Sequence, residues 1–94
     1  MKIIIVSGGF DPLHSGHIEH FRAAKKLGDI LIVGLNSDEW LTRKKGKPFM
    51  PIDERLSIIR ELRVVDLAFA YHKLADILTE PIKVELVTPL KVRL

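Results

Sequence analysis

Cysteine is absent from the chain. That excludes disulfides, thiolate metal ligands and a cysteine nucleophile, and leaves a reducing compartment, the cytoplasm, as the default expectation. Long apolar runs are also absent. The stretch Ile3, Ile4, Ile5 and Val6, between Lys2 and Ser7, is too short for the apolar core of a secretion signal. Residues 30–35 fall far below the roughly 18 that a membrane-spanning helix needs. No membrane association is expected. Internal repeats and low-complexity segments are missing as well. Charge is nearly balanced: a net +3 favours small anionic partners such as phosphates without singling out nucleic acid, and no nucleic acid is expected. What is present, 94 residues with 47% hydrophobic side chains, describes a single folded domain spanning 1–94 and excludes a second one.

Residues 2–7 form a continuous apolar run ending at a glycine pair, the pattern of a strand buried on both faces of a parallel sheet. Over 15–27, Ile18, Phe21, Ala24 and Leu27 recur at three-residue steps, and Gly28 follows as an expected C-terminal cap. Residues 29–36 are apolar again, so strand, helix and strand make a right-handed unit with parallel strands. Ser37 can cap a short helix running to about Arg43, and 44–51, with Gly46, Pro48 and Pro51, reads as a basic loop. Ile52, Leu56, Ile59 and Leu62 share one face of a further helix, whose early Asp53 and Glu54 and late Arg60 and Arg63 suit its dipole. Residues 64–70 are read as a third strand. Beyond Tyr71 the pattern weakens to a helical turn at 74–78, a break at Pro81 and a short strand at 84–87. The fold class expected is α/β: a Rossmann-like three-layer sandwich with a mostly parallel sheet, short or truncated at its C-terminal end.

The segment richest in chemistry is Gly8-Gly9-Phe10-Asp11-Pro12-Leu13-His14-Ser15-Gly16-His17, between a buried strand and the first turn of a helix. Glycines let backbone approach a ligand closely, and unpaired N–H groups at a helix start favour a phosphate there. His14 and His17, three residues apart, can aim both imidazoles at one point above the strand's C-terminal end, where open α/β sheets bind ligands. Phosphoryl and nucleotidyl transfer rest mainly on positioning and on charge stabilisation, which imidazoles and lysines supply. Read without further context, the same residues also admit a loop-capping His14 beside an ordinary helical His17, or a zinc site made by His14, His17 and His20. The lysine-rich run 42–47 also reads as a solvated loop, Arg55 as an exposed helix charge paired with Asp53 or Glu54, and Trp40 as a packing residue.

Residues 9–17 closely resemble the G-x-F-D-x-x-H-x-G-H signature of the cytidylyltransferase-like nucleotidyltransferases. The likeness continues through 24–29, 31–38, 44–48, Glu54-Arg55 and 64–66, covering residues 3–70 and leaving 71–94 as a divergent tail. Within that superfamily it is similar to glycerol-3-phosphate cytidylyltransferase, the nucleotidyltransferase domain of ADP-heptose synthesis and the archaeal FAD synthetases.

The resemblance implies an enzyme that joins a nucleoside triphosphate, CTP or ATP with its Mg²⁺, to a phosphorylated small molecule and releases pyrophosphate. It implies catalytic roles for His14, His17 and Lys44. Nucleotide-binding roles fall to Gly8, Gly9, Phe10, Asp11, Gly16, Lys47 and Arg55, with Asp11 organising the loop and the metal-nucleotide. A homodimer is also implied, aided by apolar Val64, Val65, Leu67 and Phe69. The family's late Arg-x-x-Gly-Ile-Ser-Ser/Thr-like segment has no counterpart: no glycine follows Gly46 and no serine follows Ser57. The expectation is therefore a chain that binds nucleotide but turns it over poorly. The alternative is a catalytically impaired nucleotide-binding module.

Overall fold

A computed structural model describes residues 1–71 in full and residues 84–87 as backbone. Its order is β1 (Ile3–Gly8), α1 (Ser15–Lys25), β2 (Ile30–Asn36), α2 (Asp38–Lys45), α3 (Ile52–Arg60), β3 (Leu67–Tyr71) and β4 (Val84–Val87). The strands form one fully parallel sheet in the order β3-β2-β1-β4. Both neighbours of β1 pair with it from Ile3, which lies opposite Ile30 on β2 and Val84 on β4. A central strand has no solvated face, which is why its sequence is apolar without alternation.

Ile4 and Val6 point to one side and meet Phe10, Phe21 and Ala24, Leu31, Val33 and Leu35, Ile59 and Ala68 in the main core. Ile3 and Ile5 point to the other side, against Ile30, Ile32, Phe69 and Tyr71. The core therefore lies between the sheet and the pair α1 and α3. The Rossmann-like α/β expectation holds, as do α1, β2, the Ser37 cap, α3 and the 84–87 strand. The helical turn expected at 74–78 and the Pro81 break lie outside the described residues.

Three local expectations are corrected. The third strand begins at Leu67, not at residue 64: Val64 and Val65 lie in the turn before it, packed against the main core. Leu27 lies past the end of α1 and is exposed. Gly28 is not the cap of α1: Lys26 holds that position in a right-handed conformation, and the next amide, of Leu27, donates to the Ala24 carbonyl at 2.9 Å. Gly28 is instead required for space, since a Cβ there would lie 2.8 Å from Ile4 Cγ1 and 2.9 Å from the Lys2 carbonyl oxygen. The turn from α1 into β2 is tied further by Asp66, whose carboxylate accepts from the Leu31 amide and pairs with Lys25 Nζ.

Candidate functional site

The C-terminal end of β1 leads into a loop that must reverse direction before α1 begins. Phe10 makes that turn with φ of 52°, a left-handed conformation costly for a residue with a Cβ. Packing holds it there: its ring is buried, edge-on to Phe21 at 5.1 Å and to His17 at 5.2 Å. Phe10 therefore reaches no ligand through its side chain; it seats the His17 ring.

His14 is the N-cap of α1 and forms a reciprocal cap with His17. Its Nδ1 accepts from the Gly16 amide at 3.1 Å, while His17 Nδ1 accepts from the His14 amide at 3.1 Å. An Nδ1 that accepts a backbone N–H carries no proton, so each neutral imidazole keeps its hydrogen on Nε2. The capping bonds thus set the tautomer of both rings and leave each with one N–H to donate. The ring centroids lie 4.1 Å apart. Burial first, then the charges of His14 and His20, lower the His17 pKa to about 4, so His17 is neutral at physiological pH.

The same cap alters what Gly16 offers. Its amide is engaged by His14, and the His17 and Ile18 amides donate to the His14 carbonyl. Fewer backbone donors are free for a phosphate than the bare helix start implies, and the imidazole N–H groups stand in their place. Among the described residues no group of three His, Asp or Glu is placed to hold a metal. His14 and His17 spend Nδ1 on the helix, and His20 Nε2 is buried with no partner among the described residues.

The Asp11 side chain is almost wholly buried and holds the basic loop 46–51. Its carboxylate accepts from the Phe49 amide at 2.6 Å and from the Met50 amide, and pairs with Lys45 Nζ at 2.6 Å. Burial alone would raise its pKa, but Lys45 and the two amides outweigh it and hold the carboxyl below its usual range. Lys45, absent from the expected site list, is the lysine that reaches this loop. Lys44 lies 5.6 Å over the Trp40 ring instead, and Lys47 is exposed.

Arg55 differs most from expectation. It is not an exposed helix charge paired with Asp53 or Glu54 but is fully buried. Its Nε donates to the Met50 carbonyl at 2.9 Å. One terminal nitrogen donates to the carbonyls of Gly9 at 2.9 Å and Asn36 at 2.8 Å, and the other pairs with Asp38 at 2.6 Å. With these donors spent inward, Arg55 ties the β1 loop, the end of β2, the start of α2 and the basic loop together rather than facing a phosphate. Asp38 also accepts from the Ile52 amide. Its only sequence signal is an acidic residue in the first turn of α2, which the helix dipole explains equally well. Gly9 packs close to α2: a Cβ there would lie 2.9 Å from Leu41 Cδ2. Gly8 ends β1 opposite Leu35. A groove of about 400 Å³, lined by Ile18, Arg22, Glu61, Leu62, Arg63 and Val64, lies between α1 and the end of α3 and includes none of these residues.

The chain matches the cytidylyltransferase-like family over residues 5–83, beyond the point near residue 70 where the likeness read from individual residues ends. It is 45% identical over 74 residues to the bifunctional protein HldE of Blochmanniella pennsylvanica, which covers 77% of this chain and 16% of that protein. It is 37% identical over 92 residues to HldE of Trichlorobacter lovleyi, covering 96% of this chain and 17% of that protein. The chain therefore spans under a fifth of the length of these curated relatives. A lipopolysaccharide core biosynthesis protein from Thermoplasma volcanium has a similar structure, with a TM-score of 0.81 at 27% identity over 94% of this chain and 95% of that one. Among the described residues no helix is long and apolar enough to cross a membrane.

Proposed function

Since the chain belongs to the cytidylyltransferase-like family, we propose that it transfers a nucleoside monophosphate from a nucleoside triphosphate, CTP or ATP, to a sugar phosphate. The observation that carries this reading is the pair of imidazoles at the C-terminal end of the central strand, both locked by the helix cap with only Nε2–H left to donate. The HldE relatives and the lipopolysaccharide core biosynthesis protein support a sugar-derived acceptor.

In the reaction, an oxygen of the acceptor phosphate attacks the α-phosphorus in line. The bond from that phosphorus to the oxygen bridging to the β-phosphate breaks, and pyrophosphate leaves with the electron pair. The attacking oxygen is already anionic, so no general base is needed. His14 and His17 donate to the α-phosphate oxygens, where charge is redistributed in the transition state. Lys47 brings positive charge to the outer phosphates, and Lys44 joins it on leaving the Trp40 ring. Mg²⁺ arrives as part of the triphosphate substrate. No cluster among the described residues would hold the ion, and the Asp11 carboxylate is occupied by Lys45 and two amides.

One observation favours slow turnover or a purely nucleotide-binding role. Arg55 is buried, Lys45 pairs with Asp11 and Lys44 lies on Trp40, so of Lys44, Lys45 and Lys47 only Lys47, in the loop, has no partner among the described residues. The deciding measurement is titration with each Mg-nucleoside triphosphate, followed by pyrophosphate release with sugar 1-phosphates, glycerol 3-phosphate and phosphocholine. Binding with release supports transfer, binding without release supports the binding module, and no binding at millimolar nucleotide removes both. His14→Ala and His17→Ala should each lower the transfer rate by about a hundredfold to a thousandfold while weakening nucleotide binding far less.

A further inference from the structure

The basic loop carries a side chain that the imidazole chemistry does not use. Phe49 is 72% exposed. Single exposed apolar residues are ordinary on protein surfaces, but few have their backbone held as this one does. Its amide and that of Met50 both donate to the buried Asp11 carboxylate, and Lys45 pairs with the same group. The Met50 carbonyl accepts from the buried Arg55. Pro48 and Pro51 flank the pair, each with its own φ fixed by its ring. The ring is therefore displayed on a backbone with little freedom left to lose, the condition under which a contact contributes most to affinity.

Its place in the fold indicates which substrate it would meet. Connections run from β1 through β2 to β3 on one side, and β4 lies on the other side of β1. Strand order thus reverses between β1 and β4, where open α/β sheets bind their nucleotide. The loop 46–51 follows α2, on the β2 side, and is tied to Asp11. Three residue steps, at most about 11 Å when extended, lead from Asp11 to His14. Phe49 is thereby tied, through Asp11, to the same loop that ends in the His14 cap.

We propose that Phe49 is the acceptor-selecting residue: its ring packs against the carbon skeleton of the phosphorylated acceptor and favours a sugar ring over a bare or short-chain phosphate. The negatively polarised face of an aromatic ring attracts the polarised C–H bonds on the apolar face of a sugar. The proposal rests on the nucleotidyl-transfer reading for the identity of the acceptor.

The test compares the full chain with Phe49→Ala and Phe49→Trp. Each is titrated with a hexose 1-phosphate and with inorganic phosphate, in the presence and absence of a non-hydrolysable Mg-nucleoside triphosphate. The wild-type chain should bind the hexose 1-phosphate tenfold or more tightly than inorganic phosphate. That preference should collapse to about twofold in Phe49→Ala and persist in Phe49→Trp, with nucleotide affinity and unfolding midpoint unchanged. A preference that survives in Phe49→Ala, or that the wild type lacks, overturns the proposal. Failure of the wild type to bind nucleotide would instead count against nucleotidyl transfer, while the titrations without nucleotide still decide the role of Phe49.

Discussion

His14 has two roles that substitution can separate. Its ring caps α1, and its Nε2–H is free to donate. Asparagine is among the best N-caps and carries no imidazole. His14→Asn should therefore keep stability within about 0.5 kcal/mol of wild type, whereas His14→Ala should lose about 0.5–2 kcal/mol from the missing cap. Both should lose transfer rate alike. Equal stability for the two variants in a urea titration would show that the cap contributes nothing; an unimpaired rate in His14→Asn would remove the ring from the chemistry. His17 has the same double role inside the molecule, where Phe10 holds its ring. The strained φ of Phe10 is tolerated because that ring is buried between His17 and Phe21.

Between elements, Arg55 is the tie with the largest expected effect. α3 supplies it, while its partners come from the β1 loop, the end of β2, the first residue of α2 and the basic loop. Removing one side of a buried charge-assisted network leaves the other side unsatisfied, so Arg55→Met should cost about 3–5 kcal/mol. Arg55→Lys should recover only part of this, because an ammonium is a point charge and cannot follow the guanidinium fork in three directions. Asp38→Asn should cost least: Asp38 is partly exposed and Arg55 keeps its three carbonyl partners. Chemical denaturation of the three variants checks that order, and a small loss for Arg55→Met would point to a guanidinium free to face substrate.

For the molecule as a whole, acid sensitivity should come in two separate steps. The His17 pKa is about 4 in the folded state against a reference value of 6.5, with burial as the main cause. Between those values the unfolded chain binds a proton that the folded chain does not, so stability rises with pH across the window and is lost on acidification from about 6.5 towards 4. At about 1.4 kcal/mol per unit, the loss approaches roughly 3 kcal/mol. Burial lowers the His20 pKa as well, and it acts with the same sign. Asp11 and Asp66 have depressed values, so the stability they contribute is present above their ordinary carboxylate range and is lost only as pH falls through their lower folded values. His17→Asn should make the profile shallower between pH 4 and 6.5, leaving the His20 contribution and the lower carboxylate step in place; thermal unfolding across pH measures both.

The homodimer is likewise a proposal for the whole molecule. Of the four apolar residues expected to support it, Val64 and Val65 pack in the core, leaving Leu67, which is exposed, and Phe69, on the opposite sheet face. A purely monomeric mass by sedimentation at high micromolar concentration would exclude it.

Fold class, element order and the placing of the two histidines were legible in the residues, because these follow from local rules. A central parallel strand reads as an unbroken apolar run. A strand followed by glycines and a helix cap reads as a ligand loop, and the Ser37 cap announces α2. The partners of Arg55, Asp11 and Asp66 were not legible. Each lies 17 or more residues from a main partner in the chain, and no periodicity marks a pair that meets only when β1, β2 and the loops between them pack. The role of Gly28 was hidden for the same reason: its small size is demanded by Ile4 and the Lys2 carbonyl across the α1–β2 turn. Which lysine turns to the loop was equally invisible, since Lys44 and Lys45 have the same chemistry and only the rotation of α2 sets one on Trp40 and the other on Asp11. The imidazole tautomers were not legible either, although the cap that sets them is local. Sequence places two rings three residues apart; the structure adds that His14 is extended, with φ of −147°, and that both Nδ1 atoms meet backbone amides of the cap.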